Sequence, residues 1–177
     1  MSDWWSMQVN VKFLGVSLEA LARADGRCKT GESMDDLIAR LIRYGLRCYE
    51  AIVAGGVVFM RVPWWGWCLD REVAITLPEE PFAGVSAVRF ERAARDLLQR
   101  NGDLPPEQPA RSLACTLCLD DDLFYAVEKF AERYTGNITV AYDWLVQLGE
   151  RVDWLRRGDR ALYRRTSQGE EITIPLD

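Results

Sequence analysis

Gln8-Val9-Asn10-Val11-Lys12-Phe13 alternates strictly between polar and apolar residues, and its reading decides the fold. Successive side chains of a strand point to opposite faces, so the alternation predicts a half-buried strand. Val9, Val11 and Phe13 would enter a core, and Gln8, Asn10 and Lys12 would line the other face. A second strand of this kind is predicted at Leu113-Ala114-Cys115-Thr116-Leu117-Cys118-Leu119, with its odd-numbered residues inward.

Each strand is followed by helical spacing. Val16 to Ala24 reads as a short helix with Ser17 at its cap and Gly26 at its end. Ser33-Met34-Asp35-Asp36 opens a longer one, with Leu37, Ile38, Leu41, Ile42, Gly45 and Leu46 at helical intervals and Gly55-Gly56 as its stop. In the second half, Asp121 to Tyr134 and Ile138 to about Arg156 repeat that pair of helices. Asp120-Asp121-Asp122 reads as an N-terminal helix cluster, where carboxylates favour the positive end of the dipole, in preference to a metal site. A hairpin is predicted in each half, from Val57–Arg61 with Arg71–Leu77 and from Arg160–Arg164 with Glu171–Pro175.

The displacement that carries Val9 onto Leu113 also carries Val11 onto Cys115, Phe13 onto Leu117, Leu41 onto Leu145, Ile42 onto Val146 and Gly45 onto Gly149. The order of elements repeats with it. The first hairpin is six residues longer than the second, and the excess falls at Trp64, Trp65 and Trp67. Those tryptophans, like Trp4 and Trp5, either fold back onto the sheet or offer an anchor to a partner, since aromatic side chains dominate binding hot spots. The expected division is a first repeat at 1–80, a linker helix (about 86–100) and Pro-rich linker within 81–110, and a second, degenerate repeat at 111–177.

Composition narrows the function. The 177 residues are 49% hydrophobic and carry a net charge of −5, with pI near 4.9. That balance argues against a protein that coats nucleic acid generally, although residues 7–49 hold seven basic against five acidic side chains. Histidine is absent, which removes the commonest general base and the commonest transition-metal ligand. Neither an enzymatic activity nor a cofactor is expected. The five cysteines are odd in number and scattered; they read as small core residues in a reducing compartment, and Cys115-x-x-Cys118 lacks a second ligand pair. With no signal-like N-terminus and no long apolar run, the expectation is a cytoplasmic protein without a membrane partner.

A strand, a helix, a Gly-x-Ser turn and a longer helix, with Gly31-Glu32-Ser33-Met34-Asp35-Asp36-Leu37-Ile38 at the second helix opening, resemble the ribbon-helix-helix family. Gln8-x-Asn10-x-Lys12 resembles the Gln-x-Asn-x-Arg strand of its Arc-type repressors, relatives of the methionine repressor. The resemblance implies an α+β, predominantly helical fold of two β-α-α repeats, each with a hairpin. Their first strands would pair as an antiparallel ribbon in a single-chain pseudo-dimer, alone or as a homodimer of such chains.

It also implies a DNA-binding regulator, a repressor or accessory factor, with double-stranded DNA as partner. Gln8, Asn10 and Lys12 would contact base edges in the major groove, while Ser33 and Met34 would lie at a backbone phosphate. Ala114, Thr116 and Cys118 supply little to match them, and Glu32 beside the phosphate position is repulsive. The same polar face also suits a merely solvated ribbon. The arginines at 156, 157, 160, 164 and 165 either touch phosphates or serve as helix-end and hairpin charges. The alternative from another class is a protein-binding inhibitor or adaptor that uses Trp64, Trp65 and Trp67 or its acidic surface.

Overall fold

A computed structural model of the chain describes residues 6–27, 31–63, 70–77, 112–156 and 160–176. The tryptophans at 4, 5, 64, 65 and 67, the expected linker helix and the Pro-rich linker lie outside the described residues. The fold is mixed α+β and mostly helical, with antiparallel strands. The first half contributes β1 (Ser6–Leu14), α1 (Gly15–Asp25), α2 (Met34–Val53), β2 (Val57–Pro63) and β3 (Asp70–Ala74). The second contributes β4 (Ser112–Asp120), α3 (Asp121–Phe130), a π-helical turn at Ala131–Thr135, α4 (Ile138–Leu155), β5 (Leu162–Arg165) and β6 (Glu171–Ile174). Among the described residues no helix is long and apolar enough to cross a membrane.

The two alternating segments pair with each other. Strands β1 and β4 form a two-stranded antiparallel ribbon in which Val9 faces Leu117, Val11 faces Cys115 and Phe13 faces Leu113. Phe13, Leu113, Leu117 and Leu119 are fully or almost fully buried, so the inward half of both patterns enters one core. A slip of one residue would turn this whole set to water, which is why the register is strongly specified. Helices from both halves complete that core through Leu18, Leu21, Leu37, Leu41, Val127 and Leu145.

The long helices α2 and α4, of 20 and 18 residues, each serve two cores. Their N-terminal halves pack beneath the ribbon, while Tyr44, Cys48, Leu148, Val152 and Leu155 pack against the sheet. They cross at Gly45 and Gly149, where a Cβ would meet the Leu145 and Leu41 carbonyl oxygens at 2.3 and 1.9 Å. The crossing therefore brings backbone against backbone.

The predicted hairpins do not stand apart. Strand β2 pairs with β5, giving one four-stranded antiparallel sheet in the order β3-β2-β5-β6, with Phe59 facing Tyr163 and Met60 facing Leu162. An isolated hairpin is marginally stable, and joining the two gives Phe59 and Met60 of β2 and the whole of β5 a partner on both sides, with Val58, Met60 and Leu162 buried beneath. Gly56, at φ +97°, turns the chain into β2 where a Cβ would lie 2.2 Å from the Arg165 carbonyl oxygen. On the sheet, Arg61 and Arg165 lie over the Phe59 and Tyr163 rings and pair with Glu72 and Glu171.

Two local readings are corrected. Ser17 does not cap α1, which begins at Gly15; Ser17 is buried and donates to Asp143 Oδ1 at 2.6 Å, tying α1 to α4. The helix expected to run to Tyr134 leaves α-geometry at Ala131, because the Gly136 amide donates to the Ala131 carbonyl at 2.7 Å from a left-handed residue. Burial pushes the Asp143 carboxyl up, against the lowering effect of the Ser17 hydroxyl. Asp143→Asn keeps an acceptor for Ser17 and removes a desolvated charge. Its unfolding free energy at neutral pH should equal the wild type's or exceed it by no more than about 1 kcal/mol in a urea titration.

The seams joining the halves differ in chemistry. On one, Arg23 and Arg27 of the first half donate to Glu150, which is only 6% exposed, at 3.1 and 2.8 Å. Asp153 accepts from Arg27 at 3.3 Å and from Arg40, which also holds Glu32. The positions corresponding to Arg23, Arg27 and Glu150 are Val127, Ala131 and Leu46, all buried and apolar. Beside them Tyr49 meets Phe130 edge-on at 4.6 Å, and Tyr134 meets Trp144 at 5.3 Å. One seam is ionic and the other aromatic.

Candidate nucleic-acid interface

The ribbon's outer face is built by the polar half of the alternation. Gln8, Asn10 and Lys12 are all exposed, and across from them stand Cys118, Thr116 and Ala114, exposed as well. The rungs are therefore Gln8–Cys118, Asn10–Thr116 and Lys12–Ala114. The Thr116 hydroxyl donates to Asn10 Oδ1 at 2.7 Å. That bond orients the carboxamide and leaves its two N–H donors for an outside acceptor.

Lys12 supplies the single formal charge on these three rungs. Cys118 is exposed here and Cys115 faces inward beside Val11, so only Cys48 and, in part, Cys115 behave as the core residues expected of the cysteines that are described.

Beyond Gln8, the end rung joins Ser6 to Asp120. Asp120 caps α3, accepting from the Leu123 amide at 2.8 Å, and it bridges Arg43 of α2 at 2.8 Å. Burial pushes its carboxyl up, but the Leu123 amide and the Arg43 guanidinium outweigh that and hold it below the usual carboxylate range. Among the described residues no group of His, Cys, Asp or Glu could hold a metal ion.

The expected phosphate position has a mixed character. Ser33 is the N-cap of α2: its hydroxyl accepts from the Asp36 amide at 3.1 Å and donates to Asp36 Oδ2 at 2.6 Å. Met34 is partly buried against the core and offers only backbone there. Asp35 and Asp36 fill the first turn, while Glu32 is neutralised by two hydrogen bonds from Arg40, at 2.8 and 3.0 Å. The corresponding end of α4 is free of first-turn carboxylates; there Asn137 Oδ1 accepts from the Thr139 and Val140 amides at 2.8 and 3.3 Å.

That end lacks the repulsive acids of the α2 end, but the Asn137 cap already occupies two of its free amides. The signal was legible as Asn137-x-Thr139 without an acidic neighbour.

The basic cluster near the C-terminus is largely engaged within the protein. Arg156 bonds the Tyr44 hydroxyl, Arg160 donates to the Leu155 carbonyl, and Arg165 pairs with Glu72 and Glu171. Arg157 lies outside the described residues. Comparison of the chain with protein-family models, with curated proteins and with solved structures finds no match.

Proposed function

We propose that this chain is a DNA-binding regulatory protein made of two ribbon-helix-helix-like repeats, the second degenerate, that offers the outer face of its ribbon to the major groove. The register supports the duplication. Val11 faces Cys115, which is its own counterpart under the displacement that relates the halves. The contacts of Gly45 with Leu145 and of Gly149 with Leu41 are reciprocal under that displacement, so a single two-fold relation accounts for both.

The observation that carries the function is the exposed row Gln8, Asn10 and Lys12 on a two-stranded ribbon. Such a ribbon fits the major groove, where carboxamides suit adenine and a lysine suits guanine. The ends of α2, at Ser33 and Met34, and of α4, at Asn137, would position backbone phosphates.

Fluorescence anisotropy with a mixed-sequence duplex should show binding at low salt that falls steeply as salt is raised. Lys12→Ala should weaken it about tenfold with the far-ultraviolet circular dichroism unchanged, and Thr116→Ala should weaken it less. Absence of binding at low salt would sink this reading. Association with a protein through Trp64, Trp65 and Trp67 would then be the class to test.

A further inference from the structure

Resting on the DNA-binding reading, we infer that the ribbon recognises a duplex site without two-fold symmetry, its two halves read by different side chains. The two-fold relation between the halves passes through the Val11–Cys115 rung, whose side chains do not lie on the outer face. One step to one side lies the Asn10–Thr116 rung, and one step to the other lies Lys12–Ala114. The relation exchanges Asn10 with Ala114 and Lys12 with Thr116. A symmetric reader would need identical side chains at both pairs, and neither pair matches.

The two rungs offer different chemistry. On the first, the Thr116 hydroxyl holds Asn10 Oδ1 at 2.7 Å and aims a carboxamide outward, with Gln8 exposed on the next outward rung. Gln8 presents a carboxamide donor and acceptor together, the pattern that suits adenine N6 and N7, and Asn10, its oxygen held by Thr116, adds N–H donors that suit adenine N7. On the second, Lys12 brings a cation and three donors, which suit guanine O6 and N7, while the Ala114 methyl leaves room for the ammonium and suits a thymine methyl. Charge adds direction. Lys12 stands on one side of the centre, and the Asp120 carboxylate, bridged to Arg43, terminates the other.

The flanks are unequal too. The α2 end carries Asp35 and Asp36, whereas the α4 end, capped by Asn137, has no acid in its first turn. The site would thus be a directional one: an adenine-rich half under Gln8 and Asn10, and a half containing guanine under Lys12.

Selection of the full-length chain against a randomised duplex pool at low salt tests this. The expected consensus lacks dyad symmetry. Asn10→Ala should erase preference in one half only and Lys12→Ala in the other only, each by about tenfold, with the circular dichroism of both variants matching wild type. A palindromic consensus, or equal loss in both halves from either variant, would overturn the inference and leave DNA binding standing. No enrichment from the pool, with no salt-dependent anisotropy change, would overturn the DNA-binding reading itself and this inference with it.

Discussion

Gly149→Ala should destabilise the protein by about 3 kcal/mol, at the upper end of what a single added methylene costs in a packed interior. An alanine in an exposed helix is worth about 1 kcal/mol over glycine. Here the sign reverses, because the new Cβ would lie 1.9 Å from the Leu41 carbonyl oxygen, 2.6 Å from its carbon and 2.9 Å from its Cα. All three are backbone atoms, so no side-chain rotation relieves the clash and α2 must move away from α4.

Gly45→Ala meets the Leu145 carbonyl oxygen at 2.3 Å and should cost somewhat less. Either substitution forces the same separation, so the double variant should cost less than the sum of the two. Gly26→Ala is the control: its Cβ would sit 3.6 Å from its nearest neighbours, an ordinary contact, and the effect should stay within about 0.5 kcal/mol. Urea denaturation of the four variants measures all of this. A Gly149→Ala protein as stable as wild type would mean that the helices do not cross at these glycines.

Glu150→Leu should also cost about 3 kcal/mol, by leaving Arg23 and Arg27 without the buried carboxylate they share. The figure sits at the low end for a broken buried pair because Arg23 keeps Glu19, at 2.8 Å, and Arg27 keeps Asp153. The aromatic seam suggests how to recover the loss. Adding Arg23→Val and Arg27→Ala copies the Val127, Ala131 and Leu46 arrangement onto the ionic side, and should restore part of the stability, since a well-packed apolar replacement of a buried ion cluster is often neutral or favourable, while Glu19 loses Arg23.

Chemical denaturation of the single and triple variants at neutral pH separates the two outcomes. A triple variant no more stable than Glu150→Leu would show that the ion cluster contributes more than its desolvation costs. On the outer sheet face, by contrast, the Arg165 pairs with Glu72 and Glu171 are solvent-exposed and should contribute little.

Local pattern was enough to place most elements that the structure describes. The period-two runs at 8–13 and 113–119 form β1 and β4, and the Ser33 opening with its helical spacing forms α2, because alternation and capping are backbone matters settled within a few residues. The candidate site was half legible. Gln8, Asn10 and Lys12 fall on the exposed face that their alternation predicts. The hydrogen bond from Thr116 to Asn10 joins residues 106 positions apart, and no local rule anticipates it. The same holds for Ser17, whose position suggested a helix cap and whose hydroxyl instead meets Asp143 inside the protein.

By itself the amino-acid sequence determined most of the described elements and their inward and outward faces, since each depends on side chains near one another along the chain. Tertiary structure alone decided the joining of two hairpins through β2 and β5, the backbone contact at Gly45 and Gly149, and the convergence of Arg23, Arg27, Arg40, Glu150 and Asp153. Those features link groups roughly a hundred positions apart, and they arise where apolar faces and interior charges from the two halves meet in shared cores and ion pairs.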